Sequence, residues 1–362
     1  MGLYKVKAFC VLFVLVILFH FAYQFKNSPS SSNHKPSGDI PLWNKTEHGI
    51  STNNILTALP VNRIWQGPRG KVEIKYNCEG DSYYIYVYPK KANCAPNDMS
   101  FEDRPTYSVC FDDTTKQTLY TTGHILGTQA TLVHPARPPW EEAKRLFNTG
   151  WDYLYDRKTQ KFKFSRPTML GPASTARLFP EDKYWFSRGH LFRRSDANTI
   201  NGQASTMFYI NTAPQWGLLN SGNWNKLEED IRSYAQGGNT LVKVWTGTYG
   251  LLTLPNDQGV QIDMYLGNNA VPVPRFFWKA VYDMVSKYGV VLVQVNNPHA
   301  THEELFQNGI PCEDICHRVP WLTTLVQVER EKVDFGYTYC CSVEEFRRTV
   351  NYPSDLPKAR SW

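Results

Sequence analysis

The chain has 362 residues, of which 42% are hydrophobic, 14% aromatic and 20% charged. That composition provides a sizeable core and excludes an intrinsically disordered chain. The formal net charge of +6 suits a partner made of phosphates without requiring one.

The run from Ala8 to Ala22 is apolar apart from His20, follows Lys5 and Lys7, and precedes Lys26. Residues 1–25 therefore read as a secretory signal peptide or, if residues 8–25 are retained, as a type II membrane anchor. Either delivers the remainder to the secretory pathway, secreted or anchored with the bulk of the chain lumenal or extracellular. Residues 26–58 are rich in Ser, Asn, Pro and Lys and lack periodicity, as in a flexible linker. They carry a glycosylation sequon at Asn44.

From residue 59 to 104 the texture is β-rich: 71–76 and 82–88 are expected strands, stapled by a Cys78–Cys94 disulfide. A domain over 105–352 follows. It opens with a hairpin (107–111 and 118–122), a short helix at 139–147 with Pro139 near its start, and a basic, strand-like stretch at 157–163. Leu218 to Gln236 patterns as one helix ended by Gly237-Gly238, with Asn220 at its start, where an N-cap is the simplest role. Later strands are expected at 241–246, 271–278 and 289–295, the second placed at an edge or in a loop by Pro274. Helices are expected at 301–306 and 342–350. The fold class is α+β, with a mixed or antiparallel sheet core.

Of the eight cysteines, Cys10 lies in the apolar run. The other seven, Cys78, Cys94, Cys110, Cys312, Cys316, Cys340 and Cys341, fit three bridges and one leftover thiol in an oxidising compartment. Adjacent Cys340 and Cys341 make awkward zinc ligands, so disulfides are preferred there over a metal. His299-x-x-His302-Glu303 lacks a third ligand at usable spacing, and His124 and His134 belong to no motif.

The chemistry concentrates between Ser187 and Arg232. Phosphodiester hydrolysis needs a base for water, a cation near the phosphate, and positive charge for the transition state. His190, in the turn Ser187-Arg188-Gly189-His190, can serve as the base. The carbonyl oxygen of Asn220 suits Mg²⁺, a hard ion that keeps most of its waters, with Mn²⁺ as an alternative. Glu228 lies two turns on, placed either to hydrogen-bond water on the ion or to pair with Arg232 at i,i+4. The dense basic residues from 157 to 194 read as a solvated face or a phosphate track.

Arg188-Gly-His190, Asn211-x-x-Pro214-Gln215 and Asn220-x-Gly222-x-Trp224-x-x-Leu227-Glu228, with Arg232 beyond, together resemble the DNA/RNA non-specific endonucleases of the ββα-metal superfamily. The resemblance covers roughly residues 105–350 and extends to the secreted gut and salivary nucleases of insects. It implies that His190 is the general base, that Asn220 is the direct metal ligand, and that the upstream Arg166 stabilises the pentacovalent phosphate, with Arg177 competing for that role. Arg188 and Glu228 join the catalytic group. Arg193, Arg194 and Arg232 fall to the substrate phosphates, and Asn211, Gln215 and Ser187 support the site. Many members have aspartate where Ser187 stands, so altered metal affinity or pH dependence is expected.

The expected function is a Mg²⁺-dependent, sugar-non-specific endonuclease contacting DNA and RNA mainly through phosphate. The alternatives are a catalytically weakened nuclease fold that captures extracellular nucleic acid, and a nuclease narrowed to one substrate such as double-stranded RNA. The oligomeric state is not legible.

Overall fold

A computed structural model describes residues 63–80, 82–91, 100–127, 136–143, 150–180, 184–306, 309–327 and 330–362. The N-terminal apolar run, the Asn44 sequon, Cys94 and His134 lie outside the described residues. Among the described residues no helix is long and apolar enough to cross a membrane.

Strands β1 (Ile64–Gly67), β2 (Gly70–Asn77), β3 (Tyr83–Tyr88), β4 (Tyr107–Asp112) and β5 (Gln117–Leu126) are followed by β6 (Phe186–His190) and β7 (Thr212–Trp216), then β8 (Leu241–Leu251), β9 (Pro274–Asp283), β10 (Gly289–Val295) and β11 (Thr338–Cys341). Nine of these form one sheet in the order β1-β2-β3-β4-β5-β8-β9-β10-β11, and β6 and β7 form a separate hairpin. Every pairing in the large sheet is antiparallel, so β1–β3 continue the sheet built by the rest of the chain. The main helices are α1 (Arg157–Phe164), α2 (Pro172–Leu178), α3 (Ile200–Ser205), α4 (Asn225–Gly237) and α5 (Val343–Thr349).

Alternation along the strands sends side chains into two cores. On β9, Phe277 and Val281 join the core that also contains Phe186, Trp216, Trp224, Leu227 and Ile231 of the hairpin and α4. Phe276, Trp278 and Ala280 join the opposite core, with Val343 and Phe346 of α5. Trp216 and Trp224 are fully buried; burying a large apolar side chain contributes about 1.5–3 kcal/mol. The hairpin and α4 are thus fixed to one face of a rigid sheet.

Four expectations about local structure are corrected. Residues 139–143 are not helical. Glu141 instead exchanges backbone hydrogen bonds with Met207 and Tyr209 at 2.8 and 3.0 Å, a parallel bridge near Phe208 that competes with a helical turn. The rest of that segment, 144–147, lies outside the described residues. The 157–163 stretch is helical: Asp156 caps α1 by accepting from the Thr159 N–H, and Gln160 and Phe164, one turn apart, are buried. Pro274 heads β9, an inner strand between β8 and β10. At a strand's first residue its missing donor does little harm. Finally, Leu218–Gln236 is not one regular helix. Gly217–Leu219 is α-helical, Asn220–Trp224 is a π-type turn broken at Gly222, and α4 follows.

The disulfides are Cys78–Cys110, Cys312–Cys341 and Cys316–Cys340. Cys78 therefore bridges to Cys110 rather than Cys94: Cys110 lies on β4, two strands away from β2 in the sheet order. Asp314, Cys316 and Cys340 bring ligand atoms within 4.8 Å of one another, but both thiols are consumed by their disulfide, leaving no thiolate set for zinc.

Candidate active site

β6, β7 and the kinked entry to α4 form the frame of the site. The hairpin register places Ser187 opposite Gln215 and His190 opposite Thr212. Gly189 is required for close packing, because a Cβ there would lie 2.5 Å from Gln215 Oε1 and 2.8 Å from Gln215 Cβ. Gln215 is itself held by Gln294 of β10, its Nε2 donating at 2.9 Å. Asn211 locks the exit of β6. Its Oδ1 accepts from Phe192 N–H at 2.8 Å, and its Nδ2 donates to the carbonyls of Phe192 and Thr206. Gln215 and Asn211 are therefore framework residues that set where His190 sits.

The His190 ring lies against Trp140, centroids 4.6 Å apart. Its Nε2 is sealed from solvent and has no hydrogen-bond partner among the described residues. Burial, then the charges of Arg137, Arg194, Arg193 and Lys279, push the imidazole down to about 3. Removing a cation's solvent shell and surrounding it with like charges both favour the neutral ring.

Asn220 has helical backbone angles and sits at the C-terminal end of the Gly217–Leu219 turn rather than at a helix N-cap, so the N-cap role is corrected. Its Nδ2 donates to Ser187 Oγ at 3.2 Å, and Ser187 Oγ donates in turn to the Gln215 carbonyl at 3.0 Å. Because the serine proton is committed to that carbonyl, Oγ receives the amide nitrogen, which fixes the amide orientation. Asn220 Oδ1 is left with no hydrogen bond among the described residues. The kink beyond Asn220 is clamped by the C-terminal segment. A Cβ on Gly222 would come within 2.7 Å of the Phe335 carbonyl oxygen, and Asn223 Nδ2 donates to the Gly336 carbonyl at 2.9 Å.

Below the hairpin lies a buried charge cluster. Glu228, 6% exposed, is 3.3 Å from Arg193 and 3.5 Å from Lys279. Burial pushes its carboxyl up, and the two cations pull it back. The i,i+4 pair with Arg232 does not form: Arg232 faces Asp196 at 3.6 Å and donates to the Ser195 carbonyl. Arg193 also donates to Asn225 at 3.1 Å. Arg193 and Arg232 are thus turned inward, and Arg194 is buried.

Arg188 is braced by Tyr209, to which its Nε donates at 2.9 Å, and by Asp152 at 3.0 Å. Arg166 and Arg177 lie elsewhere. Arg166 is exposed over the Phe162 ring, 5.0 Å from its centroid, and Arg177 reaches Ser174 at 3.3 Å. Neither is joined to the other candidate residues by a hydrogen bond or ion pair among the described residues. The arginine upstream of His190 whose charge acts on the ring is Arg137.

Arg137, Trp140, Tyr209, Asp152 and Lys279 were not singled out from sequence. For Lys279 a signal exists: one charged residue inside the apolar strand segment Phe276–Val281. The two histidines of the 299–302 motif do not form a metal pair. His299 Nε2 meets the Leu178 carbonyl at 2.9 Å and its ring stacks on Tyr184.

A family model described as DNA/RNA non-specific endonuclease matches residues 90–346. The chain belongs to this endonuclease family. The endonuclease model spans every element of the site, from Arg137 to Gly336. Among its relatives, a salivary endonuclease of Lutzomyia longipalpis is 34% identical over 254 residues, covering 69% of this chain and 59% of that protein. The salivary protein Tsal2A of Glossina morsitans morsitans is 25% identical, covering 77% of this chain and 67% of that protein. The chain thus spans about 59% of the length of the first of these curated relatives. A solved structure of the EndoG/EndoGI complex matches with a TM-score of 0.37 and 19% identity, covering 54% of this chain and 74% of that one.

Proposed function

We propose that this chain is a metal-dependent endonuclease that hydrolyses phosphodiester bonds in DNA and RNA, with His190 as general base and Asn220 as the metal ligand. The observation that carries the reading is His190, a neutral imidazole with no hydrogen-bond partner among the described residues, ringed by arginines inside the matched family region.

His190 Nε2 is sealed, so Nδ1 is the nitrogen placed to take the proton from an attacking water. A base held near 3 is weak, yet its depression comes partly from Arg137, Arg193 and Arg194. An anionic phosphodiester beside those cations offsets their field and raises the imidazole toward the working pH, where a base is most effective. The substrate thereby strengthens the base that activates the attacking water.

Asn220 Oδ1, freed by the Ser187 contact, fits a hard divalent cation such as Mg²⁺ or Mn²⁺. A bound cation supplies positive charge at the phosphate and the leaving oxygen. Arg137 is the proposed transition-state arginine in place of Arg166 and Arg177, because its charge acts at His190. Arg188, Arg193, Arg194 and Arg232 contribute a positive field that draws the phosphate backbone without reading bases. Three disulfides support secretion into an oxidising compartment.

Plasmid DNA and double-stranded RNA incubated with the protein in Mg²⁺ or EDTA, with wild type beside His190→Ala and Asn220→Ala, test the reading. Cleavage by wild type in Mg²⁺ alone is expected, with loss in both variants at unchanged folding. Gel-shifted but uncut substrate in every lane overturns it in favour of a binding protein.

A further inference from the structure

Lys279 is 1% exposed, in the middle of β9, an inner strand of the large sheet. A lysine this deep survives only with partners, and its partners identify what it does. Its Nζ donates to Thr246 Oγ1 at 2.7 Å on the neighbouring strand and to the Leu191 carbonyl at 3.2 Å. It lies 3.5 Å from Glu228 Oε1 and 5.5 Å from the centroid of Trp224. Leu191 directly follows His190; Trp224 and Glu228 belong to the kink and helix that carry Asn220.

We infer that Lys279 is a positioning residue for the hydrolysis: one buried ammonium ties the backbone beside the base to α4, whose kinked entry carries the metal ligand, and anchors both to the sheet. Three of its contacts lie on different elements: the sheet through Thr246, the hairpin exit through Leu191, and α4 through Glu228. No hydrogen bond or ion pair among the described residues joins His190 to Asn220, and displacements of about 1 Å between catalytic groups can cost about 100-fold in rate. An apolar side chain in the same space fills the core but makes none of the three contacts. The inference rests on the proposed roles of His190 and Asn220.

The test compares wild type, Lys279→Met, Glu228→Gln and the double variant Lys279→Met/Glu228→Gln, with His190→Ala alongside, reading Tm, kcat and KM on plasmid DNA in Mg²⁺. Lys279→Met takes away one of the cations around Glu228 but leaves it paired with Arg193 at 3.3 Å, and the loss of buried contacts can lower stability by itself. Glu228→Gln and the double variant both lack the carboxylate, so their comparison isolates the lysine, and the double variant also removes the buried ammonium that Glu228→Gln leaves without its counter-charge. We expect the double variant to match or exceed the Tm of Glu228→Gln while its kcat falls at least a further ~10-fold and KM stays within about 2-fold, the pattern of lost transition-state geometry. A double variant whose kcat equals that of Glu228→Gln overturns the inference and makes Lys279 a stability residue only. Turnover retained in His190→Ala instead overturns the base assignment, and the positioning role falls with it.

Discussion

The side-chain amide of Asn220 donates to Ser187 Oγ at 3.2 Å, which couples the residue proposed to hold the metal to the strand that ends in His190. At the position where many family members have aspartate, this chain aims the asparagine oxygen with a neutral hydroxyl, and it contributes no charge of its own to a cation.

Ser187→Ala removes that contact and also the hydroxyl's hydrogen bond to the Gln215 carbonyl. A hydrogen bond of this kind contributes about 0.5–1.5 kcal/mol, so the Mg²⁺ concentration for half-maximal cleavage should rise about 2- to 12-fold. Ser187→Asp should lower it, since a carboxylate adds attraction for the ion. An Mg²⁺ titration of initial rates measures both. Indistinguishable half-saturation in wild type and Ser187→Ala would remove the serine from metal binding.

The low value of His190 sets a pH dependence with a definite sign. Its folded value, about 3, lies below the ordinary 6.5, so between those values the unfolded chain binds the extra proton. Stability from this group is full above about pH 6.5 and is lost as pH falls toward 3. Wild type should therefore lose Tm faster than His190→Gln on acidification through that window. Parallel Tm curves would show that the ring is not held neutral by its surroundings.

Gly222→Ala places a methyl 2.7 Å from the Phe335 carbonyl oxygen. The obstacle is backbone, not a flexible side-chain end, so either the C-terminal segment or the kink must move. Overpacking of this kind costs about 1–3 kcal/mol. Because Gly222 lies two residues beyond Asn220, activity should fall together with Tm. A variant with lowered Tm but wild-type kcat at a temperature where it is fully folded would show that the kink does not aim Asn220.

What could be read from sequence was what is local. Arg188-Gly-His190, Pro214-Gln215 and Asn220–Glu228 follow one another along the chain, so the family resemblance they carry could be recognised and with it the ββα unit it implies; the turn expected at Ser187–His190 is instead strand β6, because it pairs with β7, a partner the local sequence does not show. Lys161-Phe162-Lys163-Phe164 misleads because its alternation imitates a strand, while the deciding features are the Asp156 cap and the burial of Gln160 and Phe164. Lys279 and the Cys78–Cys110 bridge depend on partners distant in sequence: Thr246, Leu191 and Glu228 for the lysine, and β4 for Cys78. Ser187 could be recognised as a departure from the family pattern, but its hold on Asn220 depends on how the helix entry is folded back against the hairpin.

The arginine that serves the phosphate is the remaining assignment that a mutation can decide. Arg166 stacks over the exposed Phe162 ring, whereas Arg137 acts on both His190 and Arg194. If Arg137 stabilises the transition state, Arg137→Ala should reduce kcat by about 10²–10³-fold, the scale for losing one preorganised electrostatic donor. Arg166→Ala should change kcat little. Both substitutions remove one cation from the phosphate field, so each weakens binding modestly and flattens the salt dependence of KM. Only Arg137→Ala also relieves the positive field at His190, so the acid limb of its residual activity should move to higher pH. A large kcat loss in Arg166→Ala with a near-normal Arg137→Ala would return the role to Arg166, and would require the α1 end to approach His190 when substrate is bound.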